Sequence, residues 1–322
     1  MRILFILENY YPNIGGVETL FKSLCESLVE KGYEVTVLTN RFSKQLKRQE
    51  TVEGVNIIRA NLKNRYLFTF FAGFSATRLA KKHDLIHTTS YNAALPAYIA
   101  ALLSGKKVLI SFHEVWGKLW FNLPFMNKAS LFLHYCFEAF ILKLPFDKFI
   151  AVSNSTKQSL INSGIHEEKV EMIYNGIDYD DFRVKQIEQP TKAVYRFCYF
   201  GRLGISKGLD LIIDAVAILD ETNSDFEFLL ILPESPAPFL EEIKRRIKAK
   251  SLEKYFVIRH SLGFEELKST IHASNAVVIP SYSEGFCFAA VESMALGVPI
   301  VSSGKAALKE VVGGTYIEME QQ

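Results

Sequence analysis

Twice along this chain, short apolar runs alternate with amphipathic segments, and that rhythm limits the fold more than any single residue does. RILFIL (2–7) is a short apolar run without the in/out alternation of a half-exposed strand, and EVTVLTN, LIHTTS, KVLISFH and KFIAVSN repeat the strand signal. They read as strands covered on both faces, which predicts a parallel sheet. VETLFKSLCESLVEKG, LPAYIAALLSG and TKQSLINSG fall between them with helical spacing, so the expectation is an α/β doubly wound parallel sheet. A second cycle opens at YRFCYFG and runs through LDLIIDAVAIL, FEFLLIL, FLEEIKRRIKAK, YFVIRH, EELKSTIHAS, AVVIPS and PIVSS. Polar, proline-containing KQIEQPTKA (185–193) separates the cycles and is the expected linker, giving domains 1–187 and 188–322. The 322 residues exceed the usual size of one hydrophobic core, in keeping with two domains.

Composition narrows the partners. A formal charge of +2 with no dominant basic stripe argues against nucleic acid. Residues 1–190 carry 23 basic and 18 acidic side chains, and the remainder 14 and 17, so the first half is mildly basic. That half also holds the aromatic stretches YLFTFFAGF (66–74) and LWFNLPF (119–125), which suit core packing or an anionic lipid surface; both readings stand open. Four cysteines without C-x-x-C spacing predict neither a disulfide framework nor a zinc site. The opening MRILFILENYYP is a strand pattern rather than a signal peptide. LFLHYCFEAFIL is too short to span a bilayer and is interrupted by His134 and Glu138. The expected location is cytoplasmic, peripheral on the inner face of the membrane if the lipid reading holds.

Parallel sheets gather ligands at the carboxyl ends of their strands, so the residues there are the candidates. SEGFCFAAVESMALG places Glu284 before a helix predicted to start near Phe286 and end at Gly297, with Glu292 inside it. Between the two carboxylates lie first-turn amides and the positive end of the helix dipole. Acceptor, anion site and acceptor follow the order of sugar hydroxyls, diphosphate and ribose in a nucleotide sugar; a satisfied buried glutamate beside a solvated one is the plainer alternative. PNIGGVE offers Gly15 and Gly16 at a strand-to-helix turn, without the G-x-G-x-x-G of a dinucleotide site. KVLISFHEVWG leaves His113 at a strand end, and FGRLGISKG brings a guanidinium at Arg202 and an ammonium at Lys207, suited to a diphosphate.

YPNIGGVET, SFHE, AVSNSTKQSL, IYNGID, FGRLGISKG and PSYSEGFCFAAVESMALGVPIVSS together resemble the retaining, GT-B-fold glycosyltransferases of family 4. The resemblance implies two Rossmann-like domains facing a cleft. It implies that Gly15 and Gly16 face the donor and that His113 hydrogen-bonds the transferred sugar. Arg202 and Lys207 would hold the leaving diphosphate, with Gly285 and the backbone of Phe286, Cys287 and Phe288 beside it. Glu284 would take sugar hydroxyls and Glu292 the ribose. The implied donor is a UDP-sugar, with a GDP-sugar as alternative, and the implied acceptor a glycan or a lipid-linked molecule. Neither a metal nor another cofactor is implied, and DYDD (178–181) is discounted as a metal motif. Chemistry of this kind rests on holding the reactants and stabilising charge.

Departures from the pattern are visible. Cys287 stands where the family often has glycine, and ILPESPAP (231–238) replaces a glycine-rich turn. Family members continue after PIVSS with further strand–helix units, so the second domain is expected to be shortened. A donor-binding protein without turnover and a nucleotide-sugar epimerase are the rival functions. Lys207→Ala is expected to weaken donor binding while leaving unliganded melting nearly unchanged.

Overall fold

A computed structural model describes residues 1–13, 15–62, 64–122, 127–182, 194–222, 225–260, 262–313 and 317–318. Two compact units divide the chain between Gly176 and Ile177. The boundary precedes the expected position at 187 because Ile177 and Phe182 pack with the core of the second unit and Lys268 Nζ donates to the Asp181 carbonyl. The expected linker, 185–193, lies outside the described residues.

The first unit runs β1 (Arg2–Ile6), α1 (Gly16–Glu30), β2 (Glu34–Asn40), β3 (Gln49–Val52), β4 (Val55–Ala60), α2 (Arg65–Ala80), β5 (Leu85–Thr89), α3 (Ala94–Ser104), β6 (Lys107–Phe112), α4 (Lys128–Leu142), β7 (Lys148–Ala151), α5 (Asn154–Asn162) and β8 (Val170–Met172). Its sheet has the order β3-β4-β2-β1-β5-β6-β7-β8, with only β3 antiparallel to its neighbour. Alternation along β1 feeds two cores: Ile3 and Phe5 pack with Phe21 and Cys25 of α1, whereas Leu4 and Ile6 pack with Phe68 of α2 and Ala97 of α3. The hairpin of β3 and β4 was not read from the sequence. Its turn, Glu53-Gly54, has positive φ at both residues (47° and 77°), the geometry that matches strand twist in a two-residue hairpin.

The second unit contains β9 (Tyr195–Phe200), α6 (Leu209–Asp220), β10 (Phe226–Ile231), α7 (Ala237–Ala249), β11 (Phe256–Arg259), α8 (Phe264–His272), β12 (Ala276–Ile279), α9 (Phe288–Ala295), β13 (Ile300–Ser302), α10 (Leu308–Val311) and β14 (Ile317–Glu318). The order is β11-β10-β9-β12-β13-β14, parallel throughout. Here too the central strand serves both faces, Cys198 and Phe200 entering one core and Tyr199 the other. Both units are therefore α/β with doubly wound sheets. Among the described residues no helix is long and apolar enough to cross a membrane. The aromatic stretch LWFNLPF begins in a short 3-10 segment, Gly117–Asn122, and LFLHYCFEAFIL lies within α4.

Candidate functional site

In the second unit, two strand-end loops are locked together. The loop after β9 ends in Gly208, whose φ of +67° suits glycine, and a Cβ there would lie 2.2 Å from the Pro280 carbonyl oxygen. That close approach presses the start of α6 against the end of β12. Across the seam, the Tyr282 amide donates to the Ser206 carbonyl (2.8 Å) and the Tyr282 hydroxyl to Asp210 Oδ2 (2.7 Å).

The chemical centre of the seam is an ion pair. Lys207 Nζ donates to Glu284 Oε1 at 2.6 Å, and Ser281 Oγ donates to the same oxygen at 2.7 Å. Glu284 is only 7% exposed, and the Lys207 side chain keeps 18% of its surface. Desolvation would lower the Lys207 pKa, but the Glu284 carboxylate outweighs it and the net shift is upward. Lys207 thus stays an ammonium, with donor capacity beyond its bond to Glu284. The sequence reading assigned these side chains separate roles; the fold makes them partners, so Lys207→Ala is now expected to affect the unliganded protein.

Arg202 is exposed at the mouth of the same loop, and Tyr199 donates to its carbonyl (3.2 Å). Burial drives the Tyr199 phenol pKa up, the Glu284 carboxylate adds to this, and the Arg202 guanidinium opposes it. The Arg202 guanidinium also opposes the protonated form of Lys207.

The helix bearing Glu292 begins at Phe288, two residues later than predicted, because Cys287 is its N-cap with φ +78° and ψ +84°. This is a backbone conformation that glycine favours, which gives the glycine of the family pattern a physical reason. No side chain caps the helix, so its first-turn amides are not claimed by one. Burial pushes the Cys287 thiol up, which argues against a thiolate nucleophile. Glu292 sits about one turn inside α9, and burial pushes its carboxyl up to about 7. Phe286 is buried and meets Phe288 edge-on at 5.5 Å between ring centroids, beside Gly285.

Gly15, Gly16 and His113 belong to the first unit. Gly15 is the N-cap of α1 and Gly16 its first residue. A Cβ at Gly15 would lie 2.3 Å from Glu18 Oε2, so an anionic group already sits against this turn and suits hydroxyls better than phosphate. His113 follows β6 and meets Phe21 of α1 edge-on at 6.0 Å.

Three features of that unit escaped the sequence reading. His87 is buried, is hydrogen-bonded between Nε2 and Ser111 Oγ at 2.9 Å, and has its pKa lowered to about 4 by burial and then by the charge of His113. Glu8, just past β1, accepts from Arg65 (3.1 Å) and Asn92 (2.6 Å). Glu138 is 2% exposed and accepts from the Tyr91 hydroxyl (2.8 Å) and from the amides of Trp116 (3.0 Å) and Gly117 (2.7 Å). It fixes the loop that follows His113. In sequence, Glu138 is only a charge interrupting an apolar run, with no spacing to announce its partners. Among the described residues no cluster of three or more His, Cys, Asp or Glu is arranged to hold a metal, DYDD included.

Comparison with known proteins adds a separate finding. Residues 14–181 match Glycosyltransferase Family 4, and residues 180–316 match Glycosyl transferases group 1. The chain is a family 4 glycosyltransferase. Similar proteins include an uncharacterized glycosyltransferase of Methanocaldococcus jannaschii, 27% identical over 97% of this chain and 83% of its own length. One subunit of the phosphatidylinositol N-acetylglucosaminyltransferase of Homo sapiens is 23% identical over 97% of this chain, which spans 63% of that protein. Among solved structures, HepE of Anabaena in complex with UDP-glucose aligns with a TM-score of 0.77 at 17% identity, covering 99% of this chain and 85% of that one. Sucrose-phosphate synthase of Thermosynechococcus elongatus aligns at 0.78 and 19%, covering 96% and 83%. These alignments show the GT-B fold for the transferase.

Proposed function

We propose that this transferase moves a hexosyl or N-acetylhexosaminyl group from a nucleoside diphosphate sugar, UDP-linked in the first instance, to a glycan or lipid-linked acceptor, with retention of anomeric configuration. The observation that carries the reading is the Lys207–Glu284 pair set in the seam beside Arg202 and the uncapped start of α9. Two cations and a helix N-terminus together favour a group bearing several negative charges. The HepE structure holding UDP-glucose supports the choice of donor, and a relative named for N-acetylglucosaminyl transfer to phosphatidylinositol supports a lipid-linked acceptor.

In this reading, Lys207 and Arg202 rather than a metal neutralise the diphosphate as the bond from anomeric carbon to phosphate oxygen breaks. The acceptor hydroxyl forms its new bond on the same face, and its proton passes to an oxygen of the departing diphosphate. Glu284 orients Lys207 and takes a sugar hydroxyl on its remaining capacity. Glu292 meets the ribose, His113 the transferred sugar, and the Gly15-Gly16 turn closes the sugar side. Preorganised cations aimed at developing charge are worth about 100- to 1,000-fold in rate for each one removed.

The test is release of nucleoside diphosphate with a panel of UDP- and GDP-sugars and lipid or glycan acceptors, with the product anomer read by NMR. Acceptor-dependent release with an unchanged anomer supports the proposal. Donor binding without release would make the chain a binding protein, and conversion of the donor without acceptor would make it an epimerase; an inverted product would remove retention.

A further inference from the structure

The helix α2 is built inside out. Its buried side is Phe68 followed by small residues, Ala72, Gly73, Ala76 and Ala80, which let it lie close against α3, where a Cβ on Gly73 would sit 3.4 Å from Ile99. Its outward side carries the bulk: Tyr66, Phe70, Phe71 and Phe74 are 60%, 63%, 62% and 84% exposed. Tyr66, Phe70 and Phe74 recur every fourth residue, so they form one stripe on the helix. In contrast, the exposed positions of α1 are Thr19, Ser23, Ser27 and Glu30, as expected of a helix facing water. An aromatic patch on that scale marks an interaction surface.

The charge around it selects the occupant. Arg65, at the start of α2, pairs with Glu8 at 3.1 Å, and Asp84, just beyond the end of the helix, pairs with Arg2. Arg78 near the end of α2, with Lys81 and Lys82 just beyond it, is exposed. Aromatic rings along one helix face with cations at its end are suited to the interface of a bilayer carrying anionic lipid.

We propose that the Tyr66–Phe74 face of α2 docks the protein on an anionic membrane surface, the rings entering the headgroup boundary while Arg78, Lys81 and Lys82 meet lipid phosphates. The inference is independent of the reaction assigned above. Docking there would present the first unit to a lipid-borne molecule.

Flotation of the full chain with vesicles of phosphatidylcholine alone, or with about 30% phosphatidylglycerol, tests it. Expected are retention on the anionic vesicles, loss of most retention at about 0.5 M salt, and weak retention on phosphatidylcholine. Phe70→Ser with Phe74→Ser should weaken binding by about 10- to 100-fold, since each ring contributes through its buried area. Arg78→Glu with Lys81→Glu should abolish the preference for phosphatidylglycerol. Ile218→Ser, at a residue 66% exposed in the second unit, should change nothing. All three variants alter exposed side chains, and melting curves matching the parent would confirm that they fold. Equal retention of parent and Phe70→Ser/Phe74→Ser protein, or none by the parent, overturns the proposal. So does a parent dimer that these two substitutions convert to monomer without any dependence on lipid, since the face would then pair two copies.

Discussion

Removing the Lys207 ammonium tests the physical core of the candidate site without any ligand. In the parent, Glu284 is 7% exposed, and both of its side-chain donors, Lys207 and Ser281, reach Oε1. Lys207→Ala leaves a buried carboxylate with one hydroxyl for a partner. Breaking a buried pair costs about 3–5 kcal/mol. Because the Lys207 side chain keeps 18% of its surface, water offsets part of the loss and the lower figure of about 3 kcal/mol applies. For a unit of this size, about 1 kcal/mol corresponds to about 3 °C, so the ligand-free melting midpoint should fall by about 9 °C. Lys207→Ala/Glu284→Gln should recover about half of that fall, because a neutral amide is far cheaper to bury than an unpaired charge. Calorimetry at pH 7.5 reads the full effect. The folded Lys207 pKa is raised, so the pair contributes fully below the unfolded lysine value near 10.4 and is lost only as pH rises through the folded one. A single variant melting within about 1 °C of the parent would show that the pair is solvated and the reasoning wrong.

Four further outcomes are expected. Gly208→Ala should cost about 3 kcal/mol or more, from positive φ and collision with the Pro280 carbonyl, whereas Gly263→Ala, with φ −64° and open space around it, should change the urea midpoint little. Glu292→Gln should stabilise at pH 8 by about 2 kcal/mol and change little near pH 4.5: its folded pKa, about 7, lies above the unfolded value, so the parent loses stability as pH rises through 7. Urea unfolding should show the opposite trend for His87, whose folded pKa near 4 makes stability fall by about 3 kcal/mol as pH drops from 6.5 to 4; His87→Gln should flatten that limb. Glu138→Ala should strand the Tyr91 hydroxyl and two amides, lower stability by about 3 kcal/mol and red-shift tryptophan emission from the Trp116 loop, while a parent-like spectrum would free Glu138 from that role.

Much of the architecture was legible because it is local. The apolar runs at β1, β5, β9 and β12 and the amphipathic spacing of α1 and α7 report their own environment through a period of two or 3.6 residues. The hairpin of β3 and β4 went unread: Gln49–Val52 alternates between exposed and half-buried residues, and Glu53-Gly54 is a weak turn signal. The candidate positions in SEGFCF and GRLGISKG stood out for a similar reason, since strand ends followed by glycine and charge are visible one segment at a time.

Sequence alone determined two doubly wound domains and singled out candidate positions at their strand ends, because periodicity and chain order are properties of neighbouring residues. Tertiary structure decided who partners whom. Lys207 meets Glu284 across 77 positions, and Glu138 reaches Tyr91 across 47. Only folding brings such groups out of water together, and it is that shared burial that turns separate charges into an ion pair and an interrupting glutamate into the support of a loop.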